Sequence, residues 1–207
     1  MRYIHIILLL LLNYFLYSTS MFYNINWHFE KEKKGISLYI AIDPDTQVNY
    51  YKAQTVVKNI SFDKIVKILS DFDNYNKFFP KTIIFKPIRV IGERRFIVYS
   101  LLNFFPYKNR EYLVECCIQE EIVNDRKIFK LYWYPDTTNT EFNFNKKNHR
   151  IKNVYGMWQI EELENSEVKI TFFSFNDWEI TAPRNIKVEF EKDGTINNVL
   201  DLLNGVR

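Results

Sequence analysis

The sequence has few of the residues from which metal and redox sites are built. Its only two cysteines, Cys116 and Cys117, are adjacent. On a strand they would point to opposite faces, so they cannot readily form a disulfide with each other. They also lack a metal-ligand spacing, and a free cysteine is usually a small buried hydrophobe. We therefore expect no metal and no redox site here.

Glycine and histidine are scarce too. The five glycines are scattered, so no glycine-rich loop of the kind that cradles phosphates is present. His28 and His149 have no recognisable partners for a Ser-His-Asp set or a metal cluster. Glu120, Glu121 and Asp136 are typical of surface acids rather than of an acid/base pair. The sequence therefore predicts no cofactor and no catalytic group.

Charge and aromatic content narrow the class of partner. The net charge is +3, and lysines alternate with acids, so no basic stripe for nucleic acid is present. A weakly basic chain can prefer anionic membrane surfaces, and we expect transient membrane contact by a monomer. The aromatic share of 17% is high, which fits a thick core or a pocket for an apolar ligand.

The first twenty residues have the pattern of a signal peptide. Arg2 precedes the apolar run Ile4–Tyr17, and small residues follow up to Ser20. We predict cleavage after Ser20, a periplasmic or secreted protein, and one domain over residues 21–207. The alternative is an uncleaved membrane anchor formed by Ile4–Tyr17. The run contains Asn13 and falls short of the roughly 20 residues needed to span a bilayer.

A predicted β-hairpin, Arg95–Gln119, organises the rest of the chain. In its first strand, one face would carry Phe96, Val98, Ser100 and Leu102, and the other Ile97, Tyr99 and Leu101. Pro106 and Asn109 supply turn chemistry before the second strand. Since both faces of the first strand are apolar, each must be covered by a second layer or by an apolar ligand.

Alternation predicts further strands, and helical periodicity predicts helices near both ends. The strands are expected at 36–42, 47–58, 83–90 (at an edge or bulge, because of Pro87), 127–134, 149–163 and 167–175. The helices are expected at 23–34, at 61–72 with Ser61 as N-cap, and after Pro183, with a break at Asp193-Gly194 and a restart at Thr195. This order indicates an α+β fold, with an antiparallel sheet and helices on one face.

Several segments together resemble a known family. They include Trp27 with GISLY (35–39), DFDNYNKFFP (71–80), FPYKNREYLV (105–114), Arg150 with Gly156 and Trp158, and the turn 177–183. From Trp27 to about Leu203 the chain resembles a START-type lipid-transfer domain of the helix-grip (SRPBCC, Bet v 1-like) superfamily, in its bacterial secreted form. It departs from the family pattern at Arg110-Glu111, where the family has Arg-Asp, and in the loss of a diglycine before the last helix.

This resemblance implies a curved antiparallel sheet wrapped around a C-terminal helix, with a hydrophobic tunnel that binds one lipid or similar apolar molecule without catalysis. The candidate tunnel residues are Tyr75, Tyr99, Arg110, Tyr112, Trp133, Arg150, Trp158, Phe173 and Phe175. The aromatic members could equally be plain core. The two arginines could hold a lipid headgroup or an internal carboxylate, or could pair with Glu111, Glu115 or another acid at a sheet edge.

Two other functions remain open at this point. One is an enzyme of the same superfamily, similar to a polyketide cyclase or a hydrolase, which would need an acid, a base or a histidine inside the cavity. The other is a binding module whose apolar groove takes a segment of another protein.

Overall fold

The computed structural model describes residues 25–43, 48–139 and 141–206, and one sheet with three α-helices accounts for the fold of these residues. The strands are β1 (His28–Lys33), β2 (Ile36–Ile42), β3 (Asn49–Lys58), β4 (Thr82–Gly92), β5 (Arg95–Leu102), β6 (Arg110–Val123), β7 (Arg126–Pro135), β8 (His149–Arg150), β9 (Val154–Glu162) and β10 (Glu167–Asn176). The helices are α1 (Phe62–Ser70), α2 (Tyr75–Phe78) and α3 (Arg184–Val206).

The sheet has the order β1-β2-β3-β10-β9-β7-β6-β5-β4, with β8 beside β6. Every neighbouring pair along this path is antiparallel, and only the short β8 pairs in parallel. The predicted α+β class and antiparallel sheet are confirmed. The predicted signal peptide, residues 1–20, lies outside the described residues, and no helix within the described part of the chain is long and apolar enough to cross a membrane.

Alternation along the strands divides the sheet into two faces. The inner face packs against the three helices and carries the main core, which includes Ile36, Leu38, Ala53, Val98, Val114, Cys116, Phe129, Leu131, Trp158, Ile160, Ile170 and Phe172. The outer face carries a smaller cluster of Ala41, Tyr50, Cys117, Tyr132, Met157 and Phe173. Helices cover only the inner face, so a ligand enclosed by sheet and helix must lie there.

The central hairpin forms as predicted. Strands β5 and β6 pair in antiparallel register, and Val98 and Ser100 share the inner face. Cys116 and Cys117 are both buried on opposite faces. Burial raises the pKa of the Cys117 thiol to about 11, so it is protonated at neutral pH and has little nucleophilic character.

Two other local predictions are confirmed. The side chain of Ser61 accepts a hydrogen bond from the backbone N–H of Lys64, at 3.4 Å, and caps α1. Strand β4 lies at the edge of the sheet, and its register with β5 shifts between Pro87 and Arg89. Proline cannot donate to the ladder, which explains both the edge position and the irregularity.

Three predictions of local structure are wrong. Residues 28–33 form the edge strand β1 rather than a helix, because Lys34 and Gly35 both adopt positive φ and turn the chain back into a hairpin with β2. The long strand 149–163 is interrupted at residues 151–153, between β8 and β9. Helix α3 runs unbroken through Gly194, and the Thr195 hydroxyl donates to the carbonyl of Glu191 instead of capping a new helix.

Gly156 is required by a close approach of Trp133. The two residues are directly opposed on β9 and β7, and a Cβ added at Gly156 would lie 2.2 Å from the indole ring. A side chain at this position would push the ring out of the inner face. Glycine at position 156, which is part of the family-like pattern, is therefore explained by its packing against Trp133.

We expect Gly156→Ala to lower the free energy of unfolding by about 1–3 kcal/mol, because the added methyl overpacks the inner face. Gly194→Ala is the control: its Cβ would meet nothing within 4 Å, and alanine in a helix interior favours folding by roughly 0.5–1 kcal/mol. Urea unfolding of both variants checks this. Equal urea midpoints for Gly156→Ala and the wild type would contradict the packing argument.

Candidate ligand-binding site

The C-terminal helix α3 covers one half of the inner face. It contacts strands β2, β3 and β10 as well as α1 and α2. Its second half is fixed by buried apolar side chains, namely Ile196, Val199, Leu202, Leu203 and Val206. Burying side chains of this size contributes roughly 1.5–3 kcal/mol each, so this half is firmly held against the core.

A second stripe of α3 is polar or lacks a side chain. It contains Glu191, Gly194, Thr195, Asn198 and Asp201, which recur at helical spacing. These residues all border one cavity, which lies between α3, the β3–β10 pair and the loops at one end of the sheet. The helix therefore packs an apolar side onto the core and turns a polar side toward enclosed space.

This cavity has a volume of about 100 Å³. Its apolar and aromatic lining consists of Tyr51, Phe79, Leu102, Phe104, Trp178 and Phe190. The rest of the lining is Lys81, Thr82, Asn103, Ser174, Asn176, Glu191, Gly194, Thr195, Asn197, Asn198 and Asp201. Ten polar residues thus share the lining with six apolar or aromatic ones, but most of the lining surface is apolar, as in small-molecule sites.

Glu191 is a partly buried carboxyl group of the cavity lining. The Tyr51 hydroxyl donates to its Oε2 at 2.7 Å. Burial raises the pKa of Glu191, and the negative charge of Asp177 adds to this, while the Tyr51 hydrogen bond and Lys187 act in the opposite direction. Tyr51 itself is buried, and its pKa is also raised, chiefly by burial, so it remains a donor at neutral pH.

The other two charged residues of the cavity lining are Asp201 and Lys81. Burial raises the pKa of Asp201, and the positive charge of Lys81 partly offsets this. The ammonium of Lys81 also lies 5.3 Å from the centre of the Phe190 ring. Lys81 is exposed and its charge acts on Asp201, whereas Glu191 accepts a hydrogen bond from the Tyr51 hydroxyl.

Arg110 lies outside the cavity lining and contacts two residues of it, Phe104 and Trp178. Its guanidinium is buried and donates to the backbone carbonyls of Trp178, at 3.0 Å, and Lys108, at 2.6 Å. It also lies 4.7 Å from the centre of the Phe104 ring. Phe104 in turn contacts Phe190 of α3, with ring centres 5.0 Å apart. Arg110 does not pair with Glu111 or Glu115; it fixes the loop after β5 against α3.

Four predicted tunnel residues lie on or against the inner face, but beside the cavity rather than in its lining. They are Tyr75, Tyr112, Trp133 and Trp158. Tyr75 stacks on Phe79 and on Phe85, with ring centres 4.3 Å apart in each pair, and its hydroxyl accepts from Trp158 Nε1 at 3.3 Å. Aromatic rings therefore fill the middle of the inner face.

The remaining predicted residues lie elsewhere. Phe173 and Phe175 pack in the outer cluster, because alternation places Phe172 inward and its neighbours outward. Tyr99 also faces outward and donates to buried Glu111 at 2.7 Å. Arg150 is exposed and lies 4.1 Å from the centre of the Phe144 ring. None of these four side chains can line a space between the sheet and α3.

The residues that the sequence analysis missed are Tyr51, Glu191 and Gly194. The signal for Glu191 and Gly194 was the polar stripe of α3, which recurs every three or four residues beside an apolar one. No such signal marks Tyr51, which lies on β3. A buried helix with a polar stripe needs something polar or hollow opposite to it. No cluster of three or more potential metal ligands occurs among the residues that the structure describes.

Sequence comparisons give no match: no protein-family model matches the chain, and no curated protein matches it. Comparison with solved structures does give matches. Human StAR-related lipid transfer protein 5 superposes with a TM-score of 0.74 at 13% identity, over 87% of this chain and 86% of that one. The STAR-related lipid transfer protein of Xanthomonas axonopodis superposes with a TM-score of 0.71 at 15% identity, over 87% of this chain and 98% of that one. Human STARD10 superposes with a TM-score of 0.73 at 13% identity, over 87% of this chain and 72% of that one.

Identities this low establish the architecture alone. The curved antiparallel sheet, the helices on its inner face and the C-terminal helix that closes it are common to these structures and to this chain. The chain therefore has the helix-grip fold of the START lipid-transfer domains.

Proposed function

We propose that this protein binds one lipid or other apolar molecule between the inner face of the sheet and α3, without chemical turnover. The observation that carries the proposal is the cavity with aromatic side chains under the middle of α3, from Phe190 to Asp201. The structural neighbours support it, since several are described as lipid transfer proteins.

The size of the cavity sets a condition on binding. Drug-sized ligands occupy roughly 300–1,000 Å³, and this cavity offers about 100 Å³. A lipid chain therefore needs more room than the closed arrangement provides. We propose that the cavity is where the ligand enters, and that uptake moves the first half of α3 outward.

The first half of α3 is held far less firmly than the second. Between residues 184 and 194, Lys192 is its only buried side chain, and it donates to Glu30 at 2.5 Å and to Glu189 at 2.8 Å. Lys33 adds an ion pair with Asp193 at 3.0 Å. Partly exposed pairs of this kind contribute about 0–1 kcal/mol each. Outward movement of this half thus costs much less than extracting the apolar second half.

The carboxyl groups of the cavity do not form a catalytic pair. Glu191 and Asp201 are ten residues apart on one helix, which separates them by about 15 Å along its axis at 1.5 Å per residue. Groups this far apart cannot act together on one bond as acid and base. The arrangement favours binding over a cyclase-like or hydrolase-like activity.

Filling the space beside Gly194 should block uptake. No atom lies within 4 Å of a Cβ built at Gly194, so Gly194→Leu would direct its side chain into the cavity. We expect the wild type to bind the neutral apolar dye N-phenyl-1-naphthylamine at one site, and Gly194→Leu to weaken binding at least about tenfold, or roughly 1.4 kcal/mol. Fluorescence titration measures this.

Gly194→Ala is the matched control, because one methyl group leaves most of the cavity open; its dye affinity should stay within about twofold of wild type. Thermal unfolding establishes that both variants are folded. Dye binding by the leucine variant at wild-type strength would place the ligand somewhere other than under α3.

We also propose that the mouth of the cavity docks on anionic membranes. Phe105 is 88% exposed in the loop after β5, and Ile186 is 54% exposed at the start of α3. Their neighbours Phe104 and Phe190 contact each other across the cavity wall. Exposed Lys108 adds a positive charge beside Phe105. Apolar side chains next to cations suit the interface of a bilayer with anionic lipid.

Replacing Phe105 should weaken docking without affecting the fold. We expect Phe105→Ser to reduce binding to vesicles containing phosphatidylserine by roughly tenfold, since a partly inserted phenylalanine contributes about 1–2 kcal/mol. Ile122→Ser is the control, because Ile122 is 74% exposed near the far end of β6. Vesicle co-sedimentation compares them. Equal losses in both variants would show that no specific docking surface exists at the mouth.

We propose, from the leader pattern, that residues 1–20 direct the domain to the periplasm or outside the cell, where it would act as a monomer. The alternating charges and the net charge of +3 support a protein that contacts membranes transiently and does not bind nucleic acid.

A further inference from the structure

The charges of the cavity constrain the polar head of the ligand. Two carboxyl groups, Glu191 and Asp201, and one ammonium, Lys81, belong to the lining. Lys81 is exposed, lies 5.3 Å from the centre of the Phe190 ring, and its positive charge acts on Asp201. Of the two carboxyl groups, Glu191 is the one whose carboxylate is oriented, because the Tyr51 hydroxyl donates to one of its oxygens. A carboxylate accepts several bonds, so Glu191 can accept further ones from a ligand.

The two arginines that could have recognised an anionic head are not available to it. Arg110 lies behind the cavity wall, and its guanidinium is engaged by two backbone carbonyls and the Phe104 ring. Arg150 is exposed and packs on Phe144. Lys81, the cation of the lining, is exposed and acts on Asp201 rather than on Glu191. An anionic head placed beside Glu191 would thus meet a like charge, and like charges at short range in a poorly solvated site repel strongly.

We infer that the cavity selects apolar molecules whose head donates hydrogen bonds, an ammonium or a hydroxyl, and rejects those with a carboxylate head, because Glu191, oriented by Tyr51, is the receptor for the head. This inference rests on the proposed binding function and adds the chemical class of the ligand. The aromatic side chains Phe104, Trp178 and Phe190 would receive the start of the apolar chain.

The geometry explains why Glu191 can serve as a receptor. The Tyr51 hydroxyl lies 2.7 Å from one carboxylate oxygen and restricts the rotation of the side chain. One turn further along α3, Thr195 donates to the carbonyl of Glu191 at 2.8 Å, and its hydroxyl lies 3.1 Å from that of Ser174 on β10. In the closed arrangement, the Tyr51–Glu191 and Ser174–Thr195 contacts join this turn of the helix to the sheet, and the Tyr51 contact orients the Glu191 carboxylate.

Three ligands with the same twelve-carbon chain test the inference: dodecylamine, dodecanol and dodecanoate, each used below the concentration at which it forms micelles. Each is titrated against wild-type protein carrying bound N-phenyl-1-naphthylamine at pH 7. We expect the amine and the alcohol to displace the dye at concentrations at least about tenfold lower than dodecanoate. Equal or stronger displacement by dodecanoate would overturn the inference.

The variant Glu191→Gln distinguishes the contribution of the ligand's head group to affinity from that of its apolar chain. It keeps an acceptor for Tyr51 and for an alcohol but removes the negative charge, so dodecylamine should lose about tenfold in affinity and dodecanol no more than about threefold. Glu164→Gln is the charge-matched control, since Glu164 lies outside the cavity lining and pairs with Arg126 at the surface. An unchanged amine affinity in Glu191→Gln, or an equal loss in the control, would contradict the role of Glu191.

The pH dependence of dodecylamine binding provides an independent test of the inference. The groups that bear on Glu191 are Tyr51, Asp177 and Lys187, with Lys81 and Asp201 elsewhere in the lining. Because the pKa of Glu191 is raised from 4.5, its charge is lost at a higher pH than that of an ordinary glutamate. Dodecylamine binding should therefore weaken as the pH falls toward 5, and binding that stays constant would count against the charged receptor.

The outcomes also separate this inference from the proposed function. One outcome is that the dye binds and Gly194→Leu blocks its binding, but the three twelve-carbon ligands displace the dye equally well or not at all. The cavity then binds apolar molecules, and the inference about the head group is wrong. If neither the dye nor any twelve-carbon ligand binds the wild type, the proposed function itself fails.

Discussion

The whole arrangement depends on how α3 is attached to the inner face of the sheet. Its second half is anchored by buried aliphatic side chains, such as Ile196, Val199 and Leu202, and its first half by hydrogen bonds and ion pairs. Apolar burial is strong and non-directional, whereas partly exposed ion pairs add little. One helix therefore combines a fixed end that preserves the fold with a weakly held end that can admit a ligand.

The inner face under this helix is not uniformly open. Stacked rings of Tyr75, Phe79 and Phe85, with the buried indole of Trp158, fill its middle. The cavity lies toward one end of this face, beside Gly194, where the helix carries no side chain. Protein interiors are normally close-packed, so a hollow at this point, lined by aromatic and polar groups together, indicates a site rather than a packing defect.

Local patterns predicted the elements, but not which face of the sheet would be enclosed. Alternation located the central hairpin and the cap at Ser61 located α1, because both signals lie within a few residues. Alternation cannot say which of two apolar faces meets the helices, so Phe173 was assigned to the wrong one. Gly194 suggested a break in α3, yet its cost of roughly 1 kcal/mol is outweighed by packing of the flanking turns. The contact between Tyr51 and Glu191 joins residues far apart in sequence and needs the tertiary fold.

The central claim is that an apolar ligand lies beneath the middle of α3, around Gly194, and enters where the first half of the helix moves outward. Amide hydrogen exchange with and without bound N-phenyl-1-naphthylamine tests it most directly. Without dye, the amides of residues 184–194 should exchange much faster than those of 196–206, because only the second half is anchored by apolar burial. With dye, protection should rise in 184–194 and in the loop 103–109, with little change in the outer cluster around Tyr132 and Met157. Uniform exchange along α3, or protection confined to the outer face, would contradict the account.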